Sequence, residues 1–320
     1  FSANNYEELK ATIETNDGGF LLVGMSNSNS SGDKTEDSNG GFDFWIIKVN
    51  SSGNIVWQNT IGGNLNDEPK SIVQTTDGGY LILGNSNSNS SGDKSENSKG
   101  ESDFWLVKLD TNGAVIWNKT IGGNLEDIAS KIISTNDGNF MLIGTSKSTV
   151  SGDKTEISRG DFDLWMVKVN PSGTILWDKT IGGSLDDLAY DIIQTSDNGF
   201  LIASTSSSNI SGEKTENSRG DKDYWVLKLE PENLSIQENN SFSNIQIYPN
   251  PTNGILNIDF GSFEGTISVT LTNVLGQLIS QYNFSQISEK QVQLKEPNGI
   301  YFLEIKNEKN ENKVFKILKQ

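Results

Sequence analysis

Apolar and polar residues alternate along this chain in short runs, and the runs recur. "DFWIIKVN" (43–50) places Trp45, Ile47 and Val49 on one side. "NIVWQNTIGG" (54–63), "KSIVQT" (70–75) and "YLILGNS" (80–86) follow, each bounded by turn-forming residues. Aromatic and β-branched residues dominate, and no helical apolar period competes, so the runs predict strands. The "TDGG" at 76–79 lies between two of them. Asp-Gly there predicts a hairpin, because Gly tolerates the positive φ that a primed turn demands. The same turn reads "NDGG" at 16–19, "NDGN" at 136–139 and "SDNG" at 196–199.

The pattern has a period. Trp45, Trp105, Trp165 and Trp225 stand 60 residues apart, each in a version of the same stretch. Four antiparallel strands per unit is the pattern of a β-propeller blade. Counting from Phe1 gives two strands, three sets of four and one more, fifteen in all. A ring of four blades needs sixteen, so strands from the two ends are expected to share a closing blade. "LSIQ" (234–237) falls where the missing strand belongs, although it lacks the Trp of positions 57, 117 and 177. Further blades before Phe1, or an open β-solenoid array, are the alternatives. The fold class expected is all-β: a propeller over residues 1–231, a linker at 232–244 and an Ig-like β-sandwich over 245–320.

Charge and composition narrow the function. The net charge is −17, and residues 241–320 balance seven Lys with seven acids, so the excess lies in the repeats. Such a surface repels phosphate backbones and anionic lipid, which argues against nucleic acid as a partner. The chain has neither Cys nor His. That excludes Cys nucleophiles, His general bases, Ser–His–Asp triads and the usual zinc sites. No run approaches the roughly 20 apolar residues of a membrane helix. The chain starts at Phe1 without a signal-peptide core, which reads as a mature product or a fragment.

The longest connection is unusually constant. It reads "SSGDKTEDSNGGFD" (30–43), "SSGDKSENSKGESD" (90–103), "VSGDKTEISRGDFD" (150–163) and "ISGEKTENSRGDKD" (210–223). Loops normally drift faster than strands. One reading is a calcium loop in each unit, with hard oxygen ligands from Asp33, Glu36 and Asp43, from Asp93, Glu96 and Asp103, from Asp153, Glu156 and Asp163, and from Glu213, Glu216 and Asp223. The other is a self-capped loop, in which Ser and Asp bind backbone N–H groups and Lys34 pairs with a carboxylate. The spacing departs from the DxDxDG calcium loop, and Lys34 sits in its midst. No cofactor besides calcium is suggested. The Trp pair of each unit, such as Trp45 and Trp57, offers either sugar-stacking platforms or filling between blades. "TIGG" (60–63, 120–123, 180–183) reads as a strand end with a tight turn, since no Lys-Ser/Thr follows its glycines.

After "DYWVLKLEP" (223–231) the repeat stops, and a new alphabet begins at "IQIYPNPTNGILNIDF" (245–260). Alternating apolar residues with Gly, Pro and Asn turns predict six or seven strands in a sandwich. "YPNP" (248–251) with Gly254, "NVLGQ" (273–277), "NGIYFLEI" (298–305) and the basic end at Lys316 and Lys319 resemble the type A C-terminal sorting domain of the type IX secretion system of Bacteroidota. The resemblance implies a folded secretion signal that takes cargo through the outer-membrane translocon to the cell surface or the medium. It implies that Pro249, Asn250, Pro251, Gly276, Gln277, Gly299 and Tyr301 shape the sorting fold, and that the last strand, Lys313 to Gln320, is the part the export machinery reads. Gly276 and Gly299 are expected in hairpin turns.

No catalytic residue is assigned. Near-identical units suit weak multivalent binding, whereas catalysis calls for one asymmetric constellation. The expectation is a non-catalytic surface or secreted module, an adhesin or display element for a polysaccharide or another surface protein. A propeller glycoside hydrolase or lyase using Asp and Glu is the alternative from a different class, and a calcium-stabilised spacer is a third.

Overall fold

The computed structural model describes residues 1–231, 245–261, 265–274, 276–285, 288–308 and 312–320. The chain divides into two compact units, Phe1–Pro231 and Glu232–Gln320. The expected linker and the "LSIQ" strand lie outside the described residues.

The first unit holds fifteen strands in four antiparallel sheets. The first sheet is β1 (Glu7–Glu14), β2 (Phe20–Ser26), β3 (Asp43–Val49) and β4 (Ile55–Ile61), paired in that order. The second is β5 (Asp67–Gln74), β6 (Tyr80–Ser86), β7 (Asp103–Leu109) and β8 (Val115–Ile121). The third is β9 (Asp127–Ser134), β10 (Phe140–Ser146), β11 (Asp163–Val169) and β12 (Ile175–Ile181). The fourth is β13 (Asp187–Gln194), β14 (Phe200–Ser206) and β15 (Asp223–Leu229). The strand count is the expected one. The hairpin turns form with Gly18, Gly78 and Gly138 at φ near 80°, and Asn198 takes the same left-handed conformation where Gly is absent.

The phase of the repeat differs from expectation. Each sheet begins with the "SIVQ"-type strand, so β1 and β2 complete the sheet of β3 and β4 instead of sharing one with β15. A periodic sequence reveals its period but not where a unit starts. The ladder decides: β2 pairs with β1 on one edge and with β3 on the other, Phe20 opposite Val49 through Ser26 opposite Asp43. The constant loop therefore lies inside a blade, between its second and third strands, and the short "GGNLN" segment joins one blade to the next. First strands stack, β1 against β5, β5 against β9 and β9 against β13. Among the described residues the fourth sheet does not stack on the first in this way.

Three apolar cores lie between successive blades. In the first, Phe44, Ile46 and Ile61 of one blade meet Tyr80, Ile82 and Trp105 of the next. Phe104 and Leu106 meet Trp165 in the second, and Leu164 and Met166 meet Trp225 in the third. The Phe44 and Trp105 ring centroids are 4.9 Å apart, and those of Phe104 and Trp165 are 5.0 Å apart. A glycine in the second strand admits each Phe ring. A β-carbon on Gly84 would lie 2.5 Å from Phe44 Cζ, and one on Gly144 would lie 2.5 Å from Phe104 Cζ. At the third junction both partners change: Leu164 replaces the ring and Ser204 replaces the glycine.

The second unit contains β16 (Gln246–Tyr248), β17 (Ile255–Asp259), β18 (Thr266–Asn273), β19 (Leu278–Ser285), β20 (Glu289–Gln293), β21 (Gly299–Asn307) and β22 (Asn312–Lys319). They make two sheets, β16-β17-β20 and β19-β18-β21-β22. Alternate residues of both face one core, with Leu256 and Ile258 from the first and Val269, Leu271, Leu303 and Ile305 from the second. Among the described residues these seven strands form the sandwich expected, at the upper end of six or seven.

Position 44 of the repeat offers a direct test. Phe104 is fully buried, whereas its counterpart Tyr224 is 93% exposed. Phe104→Ala is expected to cost about 3–5 kcal/mol, and Tyr224→Ala to stay within about 0.5 kcal/mol, both read by chemical denaturation of the full chain.

Candidate functional site

The constant loop is built around a tight turn. Ser31 and Lys34 exchange backbone hydrogen bonds of 2.9 Å, with Gly32 at φ 56° between them. Gly92, Gly152 and Gly212 repeat that conformation. The three acids proposed for calcium then go three separate ways.

The first acid of each loop grips the preceding link. Asp93 accepts from Gly62 N at 3.1 Å while its own N–H donates to Gly62 O at 2.9 Å. Asp153 does the same to Gly122 and Glu213 to Gly182, with acceptor distances of 3.1 and 3.0 Å. In the first blade Ser2 fills this role, donating to Asp33 at 2.9 Å. The second acid holds the fourth strand of its own blade: Glu36, Glu96 and Glu156 accept from the N–H groups of Thr60, Thr120 and Thr180 at 2.6, 2.8 and 2.7 Å. The residue that would correspond for Glu216 lies outside the described residues. The third acid caps the end of its own loop. Asp43, Asp103 and Asp223 accept from the N–H groups of Asn39, Lys99 and Arg219 at 2.6 Å each, and Asp163 accepts from that of Arg159.

These oxygens do not converge. Among the described residues no group of three acids is placed to hold a metal. The arrangement fits the self-capped reading, with a difference: the first acid ties one blade to another. The tie continues through side chains. Asn39 donates to Asp93 at 3.1 Å, Lys99 pairs with Asp153, and Arg159 pairs with Glu213 at 2.8 Å.

Burial strains the charges beneath the loop. Lys34 is buried and donates to the carbonyls of Ser28 and Glu36 at 2.9 and 2.6 Å. Burial lowers the pKa of Lys34 and Lys94, and brings Lys154 to about 8. Burial also raises the carboxyls: Asp43 to about 6, Asp127 to about 6, and Asp67, Asp103 and Asp163 in the same direction. Asp67 and Asp127 receive the N–H groups of Gly63 and Gly123 at 2.6 Å. One oxygen on each of these five acids, and on Asp187, is buried without a hydrogen-bond donor.

Sequence reasoning missed a second repeated pair. Lys48, Lys108, Lys168 and Lys228 reach from the third strand to Asp17, Asp77, Asp137 and Asp197 of the hairpin turn, at 2.9, 3.0, 2.7 and 2.8 Å. Lys48 is only 3% exposed. The Thr15 hydroxyl and Lys48 hold Asp17 well below the usual carboxylate range. The signal was present: both positions are the same in all four units. The paired Trp residues fill space as the packing reading expects. Trp45, Trp105 and Trp165 are buried. Their indole N–H groups donate to Gln58, Asn118 and Asp178 at 2.9, 3.2 and 2.9 Å. Trp57 and Trp117 lie against Gly113 and Gly173 of the following blade.

In the sandwich the predicted signal residues gather around the last strand. The Asn250 side chain donates to Lys316 O at 2.7 Å and accepts from Leu318 N at 2.9 Å. Thr252 N donates to Leu318 O at 2.8 Å, and Gln320 N returns to Thr252 O at 2.9 Å. Pro249 and Pro251, which have no N–H to offer, flank Asn250 beside this strand. β22 is thus held by β21 on one edge and by the "PNPT" segment on the other. Gly254, at φ 113°, passes close to Lys319, whose ammonium donates to Glu296 O. Gly276, at φ 75°, makes the expected turn, with Gln277 N donating to the Asn273 side chain at 3.0 Å. Gly299 does not lie in a turn; it is the first residue of β21, opposite Lys319. Tyr301 is buried and donates to Pro297 O at 2.6 Å.

Residues 246–320 match the family model described as a secretion system C-terminal sorting domain. This C-terminal segment is a secretion-system sorting domain, which supports a type IX secretion cargo. The C-terminal sandwich is an export module, which gives the protein an interaction with the type IX machinery and a destination outside the cell's inner compartments. No curated protein matches the chain. A crystal structure described as an unknown-function protein from Dyadobacter fermentans DSM 18053 is similar over 98% of this chain and 94% of that one, at 10% identity and a TM-score of 0.41. No helix among the described residues is long and apolar enough to cross a membrane.

The buried acids predict an inverted pH response. Asp43 and Asp127 titrate near 6 when folded, above their unfolded range, so between those values the folded state holds more protons. Stability therefore falls as pH rises through this window, by roughly 2–3 kcal/mol for each fully expressed group. The melting temperature of the full chain is expected to be higher at about pH 5 than at about pH 7.5, and Asp127→Asn to flatten that slope.

Proposed function

We propose that this type IX cargo is a non-catalytic module of the cell surface or the medium, whose repeated blades bind a neutral polysaccharide through weak, equivalent contacts. The observation that carries the reading is the use made of the constant loop. Its acids, which would be the natural candidates for glycoside chemistry or calcium, are spent on backbone N–H groups and on the neighbouring blade. The acids with raised pKa, such as Asp43 and Asp127, are fully buried, where a sugar does not reach them. Equal units at equal spacing favour avidity over a single deep site. The acidic surface disfavours anionic partners and leaves neutral polymers as the better match.

Two experiments test this. In a host with an active type IX system, the full chain is expected outside the outer membrane and a chain ending at residue 245 to stay within the periplasm; equal export of both would sink the delivery part. Pull-down of the full chain on insoluble neutral glycans is expected to succeed equally with calcium and with EDTA. Release of reducing ends from those glycans would instead make the protein a hydrolase.

A further inference from the structure

The loop between β16 and β17 closes over a strand of the opposite sheet. Its two ends belong to the sheet β16-β17-β20, where Gln246 pairs with Asp259 and Tyr248 with Asn257. Its middle lies along β22, the last strand in the order of the other sheet. There the Asn250 side chain donates to Lys316 O and accepts from Leu318 N, at 2.7 and 2.9 Å. A neighbouring strand would meet the same two backbone groups. A carboxamide donates and accepts side by side, as a peptide group does, so Asn250 stands in for one peptide of that strand. Pro249 and Pro251 have no N–H, so the segment substitutes for a strand without continuing as one.

The substitute is lightly held. Pro249, Asn250 and Pro251 are exposed, whereas Leu256 and Ile258 beyond them are fully buried in the core. Thr252 is the fixed end of the loop: it is buried, its hydroxyl donates to Ile255 O at 2.6 Å, and its backbone holds Leu318 and Gln320. On its other side β22 pairs with β21 over eight positions, from Gly299 opposite Lys319 to Lys306 opposite Asn312. Residues 249–251 can therefore lift from β22 while Thr252 and both sheets stay in place.

The edge beneath suits an extended partner. Val314 is 54% exposed and continues β22 past the reach of Asn250. Val, Phe, Ile and Leu at positions 314, 315, 317 and 318 favour extended pairing. Lys313, Lys316 and Lys319 space positive charge along the same strand. A second copy of β22 would set lysines against lysines, whereas acidic side chains complement them.

We infer that residues 249–251 are a releasable strap, and that the edge of β22 from Val314 to Leu318 takes an extended, acid-bearing segment of the export machinery by strand addition. Until then the strap keeps that edge from pairing elsewhere. The inference rests on the export reading of the sandwich.

The probe is a synthetic peptide of alternating glutamate and valine, added to the full chain. It is expected to bind and to slow hydrogen exchange at the Lys316 and Leu318 amides. Asn250→Ala frees the strap and is expected to tighten binding roughly tenfold, as the loss of two competing hydrogen bonds would. Leu318 N faces the strap, so by the two-residue period of a strand Val314 N faces the same way. Val314→Pro removes that donor from the edge and is expected to abolish binding, with the circular dichroism of the chain unchanged. In a type IX host the same variant is expected to accumulate in the periplasm. Unchanged affinity in Asn250→Ala, binding or normal export of Val314→Pro, or equal binding of a lysine–valine peptide each overturns the proposal. Unfolding of the sandwich by Asn250→Ala does so too, because the segment is then structural and not releasable. Retention of the wild-type chain in the periplasm would instead count against the export reading, which the peptide experiment does not use.

Discussion

A ring seated in a glycine notch is the contact on which the repeat domain rests. Phe44 enters the gap left by Gly84 and packs tilted against Trp105; Phe104 does the same with Gly144 and Trp165. A blade of three or four short strands cannot bury its apolar faces alone, so its stability is shared with its neighbours. The contact is specific because it is close. At the third junction Leu164 and Ser204 stand at the ring and glycine positions, and both have changed. The hairpin turn, the buried Lys48 and the constant loop all hold strands at the spacing this contact needs.

The loop explains how that spacing is kept at the rim. It grips the link of the preceding blade through Asp93, Asp153 or Glu213, and the fourth strand of its own blade through Glu36, Glu96 or Glu156. Substitution of Asp by Glu at 213 preserves the grip, which identifies the carboxylate and its reach, not metal geometry, as what the position requires. The cost is electrostatic. Several carboxylates sit in the protein interior with an oxygen unmatched, and their proton affinity rises accordingly.

Much of this was legible in the sequence. Strand identity, turn positions and the strand count follow from alternation and from Gly and Asn chemistry, which are local. "YPNP" and "NGIYFLEI" announced the sorting module because they are specific words. Two things were hidden. The starting point of a blade is a matter of long-range pairing, which a periodic sequence leaves open. The destination of each loop acid was equally hidden: Asp33, Glu36 and Asp43 look like one ligand set in one dimension, and only the fold sends them to separate partners. Lys48 with Asp17 could have been found, since two constant opposite charges per unit ask to be paired.

The self-similar junction also bears on how such a gene can change. Because the first two junctions use the same ring and notch, recombination that adds or removes whole repeats between them leaves each new boundary with a matching pair. Recombination out of phase would set a Phe against a face with no gap for it and would yield a chain that does not fold. Blade number is therefore free to vary between descendants, while the position of the crossover within the repeat is not.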